Sequence, residues 1–269
     1  MVPRAGAARF ALRALPHYRC GVTDEQPQKS KTFDPTTFRD KPVSFVRRSG
    51  RMTSGQQRGW DELSPLYRID VPRGPAATSV AKGAHGVPEE IFGRKAPLVI
   101  EVGSGQGHAI VHAASTHPER DHMAIEVFRA GLARTMTAAD ELGARNLRLI
   151  EANAPEVLEH YLPAGSADEL WVFFPDPWAK SRHHKRRLIN EEFTQIAARV
   201  LRPGGVLRLA TDWEEYAEHM RVVLDAAPDF SRDFTGEYAE RFDGRILTAF
   251  ERKGAAKGRA IRDLTYRRA

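Results

Sequence analysis

The chain has 269 residues, 41% hydrophobic and 28% charged, a composition of soluble globular proteins. No apolar run approaches the ~18 residues that a membrane span needs, and a single cysteine, Cys20, excludes an intramolecular disulfide and an all-cysteine metal site. Net charge is +6, unevenly spread: residues 1–58 hold 12 Lys and Arg against 4 Asp and Glu, and residues 252–269 hold 7 against 1, so the stretch between them is net acidic.

Basic ends on an acidic body, with a further cluster at Lys180–Arg187, point to a local polyanion-binding face. Solvated basic termini are the plainer alternative. Met1–Cys20 carries Arg4, Arg9, Arg13 and Arg19 and no acid, and these arginines break up any apolar signal core. Residues 1–40 are therefore read as a disordered extension. Residues 41–93, rich in Pro, Gly, Ser and charge, are predicted to be a flexible basic arm with one or two short helices. In this arm Phe45 and Val46 beside Arg47, Arg48 and Arg51 suit an apolar anchor that reaches a phosphate.

From residue 94 to 269 the pattern changes to short apolar runs alternating with amphipathic helical stretches, which predicts an α/β domain around a mostly parallel sheet. Strands are expected at Leu98–Val102, His122–Glu126, Leu147–Glu151, Glu169–Phe174 and Val206–Ala210. Helices are expected at His108–Thr116, Arg129–Leu142, Pro155–Tyr161, Asn190–Leu201 and Trp213–Ala226. Arg245–Arg252 and Ile261–Arg267 follow without a helix between them and are expected to close the sheet as an antiparallel hairpin, giving seven strands. Ten histidines are scattered, His183 and His184 adjacent, and no metal site is assigned.

Gly103, Gly105 and Gly107 form a GxGxG turn directly after the first strand, where the chain must turn tightly and let a ligand approach its backbone. Dinucleotide sites more often carry GxGxxG, so this spacing favours S-adenosyl-L-methionine over NAD. Glu126 ends the second strand about 20 residues on, where an acid accepts from both ribose hydroxyls. Glu101 faces the amino-acid portion of the donor. Asn153, at the end of the third strand, either meets the adenine amine or caps the next helix.

Pro175-Asp176-Pro177-Trp178 leaves the carboxyl end of the fourth strand, where open α/β sheets bind ligands. Two prolines stiffen it, and a carboxylate beside an aromatic ring suits a planar base. It is otherwise a strand exit with Trp178 packed on the sheet. Asp212, after the fifth strand, serves as a helix cap, a charge-stabilising group, or both.

GxGxG with its flanking acids, FFPDPWAKSRHHKRR at 173–187, Ala210-Thr211-Asp212-Trp213 and Leu247-Thr248-Ala249-Phe250-Glu251 together resemble the bacterial tRNA (guanine-N7-)-methyltransferase family. The resemblance extends upstream to Phe45–Arg51 and Thr53–Gln56, and covers roughly residues 41 to 268. It implies a class I, Rossmann-like methyltransferase fold, S-adenosylmethionine as donor, and N7 methylation of the variable-loop guanosine at position 46 of tRNA. It assigns donor binding to Glu101, Glu126, Asn153 and Asp176, and tRNA or guanine contacts to Lys180, Asp212 and Thr248–Glu251. Arg182, His183, His184, Lys185, Arg186 and Arg187 become the RNA-contacting segment. The sequence departs from the family at Asn153, where Asp is common, and at Ala249, where a basic or polar residue is common. A cytoplasmic monomer or homodimer is expected.

Guanine N7 already carries an in-plane lone pair and loses no proton on methylation, so no strong base is needed. Asp176 is the catalytic candidate, through orientation and charge stabilisation shared with Asp212.

Overall fold

The computed structural model describes residues 52–247, 251 and 258–269. The Phe45–Arg51 motif and Thr248, Ala249 and Phe250 lie outside the described residues.

Helix α1 (Ser54–Tyr67) starts at a capping box: Thr53 Oγ1 accepts from Gln56 N–H, and Gln56 Oε1 accepts from Thr53 N–H. It packs on α4 through Gly59, where a Cβ would lie 2.6 Å from Thr137 Oγ1. A short helix α2 (Pro88–Phe92) precedes the sheet. The elements then follow as β1 (Leu98–Val102), α3 (His108–Thr116), β2 (Asp121–Glu126), α4 (Arg129–Glu141) and β3 (Leu147–Glu151). Next come α5 (Ala154–Glu156) running into a π turn at Val157–Tyr161, β4 (Ala167–Phe173), a 3-10 turn at Ser181–Arg186, α6 (Glu191–Val200), β5 (Leu201–Thr211) and α7 (Glu214–Ala226). Strands β6 (Phe230–Arg232) and β7 (Arg262–Arg268) complete the sheet.

The seven strands stand in the order β3-β2-β1-β4-β5-β7-β6, parallel from β3 to β5, with β7 antiparallel to both its neighbours. All five residues of β1 are buried, as a central parallel strand covered on both faces requires. One face packs Val99, Ala124, Leu149 and Trp171 against α1, α3 and α4, and the other packs Ile100, Ile125, Leu170 and Leu207 among residues of α5, α6 and α7. The order reverses between β1 and β4, which makes their carboxyl ends the topological switch point. Among the described residues no helix is long and apolar enough to cross a membrane.

Two sequence expectations need correction. The fourth strand ends at Phe173: Phe174 still donates its N–H to Ala210 O of β5 at 2.7 Å, but its backbone turns into the left-handed region at φ 52°. The antiparallel partner of β7 on its outer side is Phe230–Arg232, not Arg245–Arg252. Both edges of β7 are taken by β5 and β6, and Arg245–Leu247 form no strand. Arg245 instead turns its side chain into a buried ion pair.

Candidate active site

The glycine turn joins β1 to α3, and its three glycines sit at φ 71°, 58° and 76°. Side chains are disfavoured there by conformation alone. At Gly107 space is also lacking, since a Cβ would fall 2.4 Å from Thr135 Oγ1. Around Gly103 and Gly105 the space is open, as a backbone cradle for a ligand requires. Gly131, on α4, supports the turn from behind: a Cβ there would lie 2.1 Å from Gly105 O. The sequence offers no signal for Gly131 beyond its helical position.

Glu126 binds the turn to β2. Its Oε2 accepts from Gly105 N–H at 2.9 Å, and its Oε1 accepts from Val127 N–H at 2.6 Å and Phe128 N–H at 2.9 Å. Glu101 is 5% exposed, and its Oε2 has no hydrogen-bond partner. Burial pushes its carboxyl up to about 8. Ser104 Oγ, in the turn itself, is also buried without a partner, a group that sequence reasoning passed over. A cradle of open glycines beside a buried carboxyl lacking a counter-ion fits the ammonium end of an amino-acid-bearing donor.

Asn153 does not cap its helix, for no side-chain cap bond forms there. It is wholly buried, its N–H donating to Thr78 O at 2.7 Å, its Nδ2 donating to Glu156 Oε1 at 2.8 Å, and its Oδ1 lacking a partner.

The Pro-Asp-Pro-Trp loop leaves β4 beside the turn, between two aromatic residues in the left-handed region, Phe174 at φ 52° and Trp178 at φ 47°. Such conformations are uncommon for bulky residues and concentrate at functional loops. Asp176 is exposed at its tip, yet partial desolvation holds its carboxyl above the usual range.

Arg187 was expected on the RNA and is instead 1% exposed and turned inward. Its Nε donates to Pro177 O at 3.0 Å, and its Nη1 and Nη2 donate to Glu215 Oε1 and Oε2 of α7 at 3.0 and 2.5 Å, while the guanidinium stacks 4.8 Å from the Tyr216 ring centre. This side chain clamps the loop to α7, and a planar fork suits three acceptors so arranged. Arg186 lies 5.1 Å over the Trp178 ring, which also meets His183 edge-on at 5.9 Å. Lys180, Arg182 and Lys185 are exposed, and His183 and His184 half-buried.

Asp212 does not cap α7 either; Thr211 Oγ1 accepts from Trp213 N–H at 3.2 Å. Its carboxylate is nearly buried and meets Arg259 at 2.8 Å. Glu251 is 1% exposed and paired with Arg245, which also forks onto Asp263 at 2.8 and 2.7 Å. Among the described residues no group of three His, Cys, Asp or Glu is arranged to hold a metal.

Residues 95–264 match a family model described as "Putative methyltransferase". The chain is 43% identical to the tRNA (guanine-N(7)-)-methyltransferase of Paenarthrobacter aurescens (strain TC1), covering 86% of this chain and 93% of the relative. It is 46% identical to the protein of the same name from Cutibacterium acnes, over 84% and 83% of the two chains. Among solved structures, a 16S rRNA methyltransferase, KamB, is similar at TM-score 0.49 and 17% identity over 67% of this chain and 92% of that one. The glycine turn, the acids around it and the clamped acidic loop thus lie inside a stretch matched over most of its length by relatives above 40% identity, and the chain belongs to the tRNA (guanine-N(7)-)-methyltransferase family.

Proposed function

We propose that this protein transfers a methyl group from S-adenosylmethionine to N7 of guanosine in tRNA, at position 46 of the variable loop. The observation that carries the reading is the meeting, at the ends of adjacent strands β1 and β4, of a glycine cradle with a buried carboxyl whose Oε2 has no partner and a loop bearing Asp176 and Trp178. Such a substrate places the enzyme in the cytoplasm.

Bound S-adenosylmethionine supplies an electrophilic methyl group on a sulfonium. Gly103, Gly105 and Gly107 let it approach the backbone, Glu101 receives its ammonium, Glu126 its ribose hydroxyls, and Asn153 its adenine amine. Asp176 and Asp212 accept from the guanine N1–H and N2–H edge and oppose the positive charge that N7 acquires. No proton leaves, so the work of these carboxylates is alignment and charge stabilisation. Arg259 holds Asp212 in the free protein and gives way to the base. Glu251 acts at one remove, through Arg245. Lys180, Arg182 and Lys185 bind phosphates.

Incubation with a labelled methyl donor and unmodified tRNA, followed by nucleoside mapping, is expected to place the label in 7-methylguanosine of the variable loop. Label in another nucleoside overturns the reading. Asp176→Ala is expected to abolish transfer while tRNA still shifts in a gel; near-normal turnover removes Asp176 from its role.

A further inference from the structure

Asn153 presents a two-sided group: its amide offers an acceptor at Oδ1 and two donors at Nδ2. What a purine edge meets depends on which side is turned toward the chain's own neighbours. A short relay of hydrogen bonds decides this. It begins at Val80 N–H, a backbone donor whose sense cannot be reversed, which donates to Glu156 Oε2 at 2.7 Å. A carboxylate accepts at both oxygens, so at Glu156 Oε1 it can receive only the Nδ2 side of Asn153, and does so at 2.8 Å. Oδ1 is left as the free end of the relay, buried and without a partner. Asn153 is wholly buried and Glu156 is 8% exposed, so water has little access with which to scramble the orientation. A buried acceptor without a donor is costly, and a ligand donor brought to it is favoured accordingly.

We infer that Glu156 is a positioning residue that sets the base selectivity of the donor site: by locking the Asn153 amide as an acceptor, it selects a purine bearing a 6-amino group over one bearing a 6-oxo group. This rests on the proposal that the ends of β1, β2 and β3 hold the adenosyl portion of the methyl donor. A 6-amino group donates to Oδ1. A 6-oxo group would set one acceptor against another in a water-poor site.

Glu156→Gln preserves shape and inverts the logic. Val80 N–H still demands an acceptor, so the glutamine carbonyl turns toward it and the glutamine NH2 toward Asn153. The Asn153 carbonyl must then face inward, leaving its NH2 to meet the ligand.

The test is calorimetric titration of the full chain with S-adenosylhomocysteine and with S-inosylhomocysteine, which differ at the purine 6-position. The wild type is expected to prefer the adenosyl ligand by about 100-fold or more. In Glu156→Gln the ratio is expected to fall at least about tenfold or to invert. A merely structural role would weaken both ligands together and leave the ratio unchanged, which overturns the inference. If neither ligand binds the wild type, the donor-site reading itself fails. Tight binding of both at equal affinity sinks only the role of Glu156. Should Glu156→Gln not fold, Asn153→Ala replaces it: a ratio near one supports the relay, and an undiminished ratio overturns it.

Discussion

Glu101 couples donor binding to pH. Its pKa of about 8, against 4.5 for an ordinary glutamate, arises from burial, is opposed by a hydrogen bond from the backbone of Ile110, and is raised a little further by the charge of Glu126. The folded-state value is the higher one, so the neutral form carries no electrostatic cost below about pH 4.5, and stability declines as pH rises from there toward 8. An ammonium arriving at Oε2 reverses this preference and drives the carboxyl to ionise. Binding of S-adenosylhomocysteine at pH 7 is therefore expected to release close to one proton, read as a dependence of calorimetric enthalpy on buffer ionisation enthalpy. Glu101→Gln should abolish that dependence and, without ligand, raise Tm relative to wild type by an amount that grows between pH 5 and 8. A wild-type enthalpy indifferent to buffer contradicts the assignment. The sequence identified Glu101 by its place before the glycine turn, but the bare Oε2 is a property of packing, and only the folded chain displays it.

The basic element after β4 divides into two kinds of cation. Read along the chain, Lys180 to Arg187 is a uniform run, and nothing in residue type separates its members. The 3-10 turn at Ser181–Arg186 does, because it carries the chain round so that Arg187 enters the gap between loop and α7. Replacing Lys180, Arg182 and Lys185 together by alanine is expected to weaken tRNA binding and lower the slope of log affinity against log salt by about 0.7–0.9 per lost contact. Arg187→Ala should leave that slope alone and slow transfer, by releasing Pro177 and with it Asp176. Arg187→Lys should not rescue it, for an ammonium cannot serve the three acceptors in one plane. A loss of salt slope in Arg187→Ala would return this residue to the phosphate contacts.

Over the whole sheet, the five parallel strands were legible because each is a short apolar run bounded by a turn or a helical period, and β1 with its glycines sets the site at once. The antiparallel edge was harder. The pairing of β7 with Phe230–Arg232 depends on residues more than 30 positions apart, and the run at Arg245–Arg252, strand-like in composition, instead supplies Arg245 and Glu251 to an ion cluster with Asp263. That cluster ties the segment around Arg245 to β7 and lays the Arg245 guanidinium 5.9 Å from Phe173 and 5.7 Å from Phe174, at the root of the site. Arg245→Ala strands two buried carboxylates and is expected to destabilise the fold by about 3–5 kcal/mol in urea melts. A loss below about 1 kcal/mol would mean that the cluster is incidental to stability.

The left-handed backbone at Phe174 and Trp178 sets two kinds of selection against each other. Each residue holds the chain about 1–2 kcal/mol above a relaxed form, and the clamp at Arg187 helps keep the loop in place. A library sorted only for survival of heating is expected to gather glycine or asparagine at these positions, and its most robust members to be slow enzymes. Relaxing the loop frees the chain, and also frees the carboxylate whose position the reaction needs.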